Sequence, residues 1–213
     1  MALLNDLGSL VGMFMQPDQQ DNKQLANRAG VDSGDFSKIA ALGLPLLLQG
    51  INKNNQSKEG LASFNQALNQ HQTRNNYDSL GQYAQNIDTN DGEKIVNHVF
   101  NNQGDVNSGL ADRLGVSPQT VQRTLAVLAP LVLKYLADRK KEQNLDPQAV
   151  QNETQNATTQ VAQQVREYNK SDTQNKGLLG DLLSSFTNDN KTNTKDTKEN
   201  DSGLLGDLFD LFK

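Results

Sequence analysis

Residues 25–48 read LANRAGVDSGDFSKIAALGLPLLL, and residues 110–133 read LADRLGVSPQTVQRTLAVLAPLVL. At an offset of 85, without gaps, the two stretches are identical at nine of 24 positions. The shared residues include Arg28/Arg113, Gly30/Gly115, Ala41/Ala126 and Pro45/Pro130. Each stretch predicts a short helix that ends at its glycine, the residue best suited to a left-handed C-cap. Asp32 or Ser117 then offers an N-cap for the next helix, and Pro118 stands at the N1 position that proline favours. The second helix carries apolar residues at helical spacing: Phe36, Ile39 and Ala40 in one copy, Val121, Leu125 and Leu128 in the other. A proline then follows at matched positions. An interior proline removes a backbone hydrogen bond and costs about 3 kcal/mol, so a kink or a break is expected there. The runs after it are apolar all round, which marks buried helix. A period of 85 is too long for a solenoid and suits two related helical halves of one domain.

Between the two copies, helices are expected near 58–70 and 92–101, with a weaker one near 77–87. Gly60, Gly81, Gly92 and Gly104 are expected to punctuate this segment. Nothing alternates at period two, so no strand is expected and the fold class is all-α. Past Arg139-Lys140-Lys141 the chain turns rich in Gln, Asn and Thr. Residues 146–170 still place Val150, Ala157, Val161, Val165 and Tyr168 on one side of a peripheral amphipathic helix. Residues 171–213 are polar except for two short motifs, and are expected to be a disordered tail. The helical domain is thus drawn at 1–145.

With this arrangement in view, the chain resembles the YidB-like bacterial family of unknown function, domain-of-unknown-function family 937. The stretches that carry the likeness are ALGLPLLLQGINKN (41–54), EGLASFNQALNQH (59–71), GEKIVNHVFNN (92–102) and LGVSPQTVQRTLAVLAPLVLKYLADRKKEQNLD (114–146). The resemblance implies an all-α, multi-helix fold and brings no activity, substrate or cofactor.

Composition narrows the chemistry. The chain has 213 residues, no cysteine, no tryptophan, two histidines (His71 and His98) and a net charge of −5. Cysteine-based disulfides and thiolate metal sites are excluded. There is no paired-carboxylate site in apolar surroundings, no nucleophile elbow and no phosphate loop. An enzyme is not expected, and no cofactor is inferred. His98 has too few neighbouring ligands for a metal and is expected to be packed or hydrogen-bonded. Asp88 to Glu93 fails the spacing of a calcium loop and reads as a turn. No stretch is long and apolar enough to span a bilayer. The first 16 residues lack a basic n-region and carry Asp6, so a cytoplasmic location is the default expectation.

One motif remains. Leu-Leu-(Asn/Gly)-Asp-Leu begins at Leu3, Leu178 and Leu204. In the tail motifs, 177–186 and 203–212, the apolar residues are Leu178, Leu179, Leu182, Leu183 and Phe186, then Leu204, Leu205, Leu208, Leu211 and Phe212. Their spacing is that of a helix that anchors in a groove. Segments this short fold only on docking. Burying four or five such side chains supplies on the order of 6–10 kcal/mol before ordering costs. The expected partner is a protein, including this chain itself, and the plain alternative is that the motifs pack on their own domain. Leu3, Leu4, Leu7, Leu10, Val11 and Phe14 are expected to form the domain's first helix.

Two other readings are weaker. The segment 110–125 resembles a helix-turn-helix in which Gln119, Thr120, Gln122 and Arg123 would contact DNA. The second helix runs on into a core-like stretch, the first copy carries Ser33, Gly34 and Asp35 at the corresponding positions, and the net charge is negative. Membrane-surface association through the tail is the third reading. Asp181, Asp207 and Asp210, with only Lys213 basic, make anionic lipid a poor partner.

Overall fold

The computed structural model describes residues 7–72, 80–100 and 103–171. Among them there are nine α-helices and no strand. In chain order they are α1 (Leu7–Phe14), α2 (Gln20–Ala29), α3 (Ser33–Asn54), α4 (Lys58–Gln72), α5 (Leu80–Asn86), α6 (Thr89–Val99), α7 (Gln103–Leu114), α8 (Pro118–Gln143) and α9 (Pro147–Ser171).

The two quoted stretches take the same local form. α2 and α7 each end at a glycine with φ of +67°, and a capped long helix follows. The Asp32 carboxylate accepts from the Gly34 and Asp35 amides, and the Ser117 hydroxyl accepts from the Thr120 amide. α3 and α8 lie against each other at the centre. Every residue from Ile39 to Leu48 is buried, and so is every residue from Thr124 to Ala137. Such runs cannot face water on any side, so the remaining helices surround this pair.

The expected break at the prolines does not occur. α3 continues through Pro45 and α8 through Pro130. For α8 the physical reason is visible. Pro130 has no N–H for the carbonyl of Ala126 one turn earlier. α6 passes so close to that carbonyl that a Cβ on Gly92 would fall 1.8 Å from its oxygen. Glycine there lets the helices meet backbone to backbone, where a Cα–H can approach the orphaned oxygen. Gly92 is therefore not punctuation. Gly60, Gly81 and Gly104 also lie inside helices, each within a first turn.

Other expectations shift by a turn or less. The helix placed at 92–101 starts at Thr89, because Asp88 caps it by accepting from the Asn90 and Asp91 amides. α9 matches the predicted span but sits deeper than a peripheral helix. Val150, Ala157, Val161 and Val165 are buried, as is Thr154, and the helix lies against α1, α3, α4 and α8. The side chain of Tyr168 falls outside the described residues.

Candidate docking site

α1 is the described copy of the leucine motif, from its last leucine onward. Leu7, Leu10, Val11 and Phe14 recur at i, i+3, i+4 and i+7, one stripe of a helix. All four are buried, at 0–4% exposure. At eight residues, with Gly8 and Gly12 inside it, this helix has little stability of its own. It is held by where it sits.

The seat is made by α3 and α9, with α2 at one end. The Phe14 ring meets Phe36 of α3 edge-on, 5.8 Å between centroids at 75°. Such a pair contributes about 1 kcal/mol beyond the area it buries. Asn22 of α2 is completely buried and ties down the end of α1. Its side-chain amide reaches the carbonyls of Phe14 (3.3 Å) and Gln16 (3.2 Å) and donates to the Ser37 hydroxyl (2.8 Å). α9 is fastened to α3 in the same manner. The Asn52 amide donates to the Thr158 hydroxyl at 2.7 Å, and the Gln151 amide donates to the Asn55 carbonyl at 3.1 Å. These amides are sites that sequence reasoning missed. In a chain so rich in Asn and Gln, no pattern distinguishes a stapling amide from a solvated one.

The ten tail residues expected to dock, Leu178, Leu179, Leu182, Leu183, Phe186, Leu204, Leu205, Leu208, Leu211 and Phe212, lie outside the described residues. The four considered for DNA lie in the first turns of α8. Gln119 and Arg123 are exposed, whereas Thr120 and Gln122 are half-buried. The Thr120 hydroxyl is engaged with that of Ser117 at 2.8 Å, as part of the helix cap.

The basic residues at the end of α8 are not a free, solvated cluster. Lys134 is buried and paired with Asp138 one turn on, at 2.5 Å. Arg139 donates to Glu153 of α9 at 2.8 Å, and this bond raises its pKa above the ordinary arginine value. Lys140 donates to the Asn69 side chain of α4 at 2.7 Å, and burial lowers its pKa from the ordinary lysine value. Only Lys141 of the four is exposed. Arg139 and Lys140 thus fasten α8 to α9 and α4, while the Lys134 pair lies within α8.

His98 is exposed rather than packed. Its side chain points away from a helix whose inward positions are taken by Val96 and Val99. His71, in the last turn of α4, lies 3.6 Å from the Asp91 carboxylate of α6. Among the described residues, no group of three or more His, Asp or Glu side chains gathers as metal ligands would. No helix among them is long and apolar enough to cross a membrane.

A family model described as a bacterial protein of unknown function (DUF937) matches residues 11–139. The chain belongs to this family. The matched span of the DUF937 domain begins inside α1 and ends in the last turns of α8. α9 lies beyond it, yet α9 supplies one wall of the α1 seat. No curated protein and no solved structure matches the chain.

Proposed function

We propose that this DUF937 protein is a non-enzymatic interaction protein whose leucine motifs dock as short helices in a groove of a helical domain. Self-assembly is the form this takes among copies of the chain. The two matched helix pairs are, on this reading, related halves of the domain that offers the groove. The observation that carries the proposal is the burial of Leu7, Leu10, Val11 and Phe14. In the first copy of the motif that recurs in the tail, the last leucine, Leu7, opens a helix seated by its apolar face.

The linker between the tail motifs, 187–202, spans roughly 20–25 Å on average if flexible. Two anchors on such a linker act together and add avidity without new contacts.

Light scattering tests the proposal directly. The full chain is expected to show a larger mass than one truncated to 1–171, with the difference lost on dilution. Equal monomeric masses at every concentration overturn self-assembly.

A further inference from the structure

We propose that the seat of α1 has a second occupant, the segment 204–212 of the same molecule. This rests on the docking reading above and names its site. Resident and tail segments align at an offset of 201. Leu3, Leu4, Asp6, Leu7 and Leu10 recur as Leu204, Leu205, Asp207, Leu208 and Leu211, and Phe212 stands for Val11. Three of these resident positions are where α1 is gripped, since Leu7, Leu10 and Val11 are 0%, 4% and 1% exposed. The last copy therefore brings a large apolar side chain to these three positions, and has no counterpart to Phe14.

The middle copy does not. At an offset of 175 it sets Leu182 on Leu7 and Phe186 on Val11, but Ser185 on Leu10. A hydroxyl buried there without a partner is unfavourable, and the leucine contact is lost as well. The last copy is the better fit on this ground alone.

α1 has advantages outside the alignment. Phe14 packs on Phe36, and Asn22 grips the carbonyls of Phe14 and Gln16. Its tether to α2 is only residues 15–19, whereas residues 172–203 separate the last copy from α9. A flexible linker of that length spans about 30 Å, which is the scale of a small domain. Both tethers hold their segments at high effective concentration, the shorter one more so. α1 therefore keeps the seat at rest, and the tail enters when α1 is weakened. A free molecule at micromolar concentration competes poorly with either tethered segment. Entry of the tail frees the motif of α1 to project.

The chain has no tryptophan, so Phe212→Trp provides a single emitter in the full-length protein. Adding Leu10→Ala weakens the resident and is expected to favour the docked tail by roughly 30-fold or more. The readout is a blue shift of the tryptophan emission that does not change on dilution. Val11→Ala, a smaller truncation, serves if circular dichroism shows that Leu10→Ala fails to fold. A further Leu211→Ala is expected to abolish the shift. In a parallel chain carrying Phe186→Trp, Ser185→Leu is expected to give the middle copy the same response. Emission indifferent to both α1 substitutions overturns the proposal, and so does a shift that grows with concentration, which would make a second molecule the donor. If the emission is indifferent but tail removal still lowers the scattering mass, the seat is wrong and the docking reading stands. A responsive emission with equal masses keeps the tail in the seat and removes self-assembly.

Discussion

Gly92 and Pro130 show how single residues here act in pairs from different helices. Pro130 leaves the Ala126 carbonyl without its helical donor, and Gly92 brings a second backbone up to that oxygen. Neither residue makes sense in its own helix, where each lowers helix propensity. A methyl at position 92 would fall on backbone that cannot rotate away. Gly92→Ala is therefore expected to destabilise the protein by about 3 kcal/mol or more, the upper range for overpacking, read as a lower urea midpoint. An unchanged midpoint would show that α6 and α8 are not in backbone contact. Asn22 acts at the same scale. Its amide links α1, α2 and α3, although its composition-level reading is merely one polar residue among many.

Among the elements, α1 and α9 stand apart from the rest. α1 begins before the matched family span and α9 lies wholly beyond it, and they lie against each other and against α3. α9 presents small side chains, with Val150, Thr154, Ala157, Val161 and Val165 as its buried face. Its Asn and Gln content hides this face in the composition, while the period of 3.6 reveals it. What the period leaves open is depth. The middle of α3, Ile39 to Leu48, is buried on all sides, so it needs a cover on every side, and α9 is one of those covers. A chain ending at residue 145 is expected to lose its cooperative thermal transition and to bind a hydrophobic dye, whereas one ending at 171 keeps the transition. If both truncations melt alike, α9 is an attachment and not part of the core. The elements around the glycine turns were legible for a different reason. A left-handed residue followed by Asp or Ser-Pro is local chemistry, and the φ of +67° at Gly30 and Gly115 answers to it directly. The boundary of α6 was less legible, because Asp88 could cap a helix or begin a loop.

For the molecule as a whole, charge and its placement decide between partners. The net charge is −5, and Lys134, Arg139 and Lys140 are engaged with Asp138, Glu153 and Asn69. Phosphate binding would require cations free to replace counterions. The full chain is expected not to retard duplex DNA at about 150 mM salt, conditions that already weaken non-specific binding. A retarded band that disappears with Arg123→Ala would favour the nucleic-acid reading instead. The leucine motifs carry Asp in every copy, which disfavours anionic surfaces.

What the sequence determined by itself is local or periodic: helix over strand, the glycine C-caps, the N-caps, the buried character of α3 and α8, and the recurrence of the leucine motif. These follow from propensity and spacing within about one turn of each residue. Tertiary structure alone decided that both prolines stay within continuous helices, that Lys134 turns inward, that Asn22 is a staple, and that α9 walls the α1 seat. Each of these depends on which group from a distant segment meets an unsatisfied atom or apolar face. Sequence spacing carries no record of that meeting.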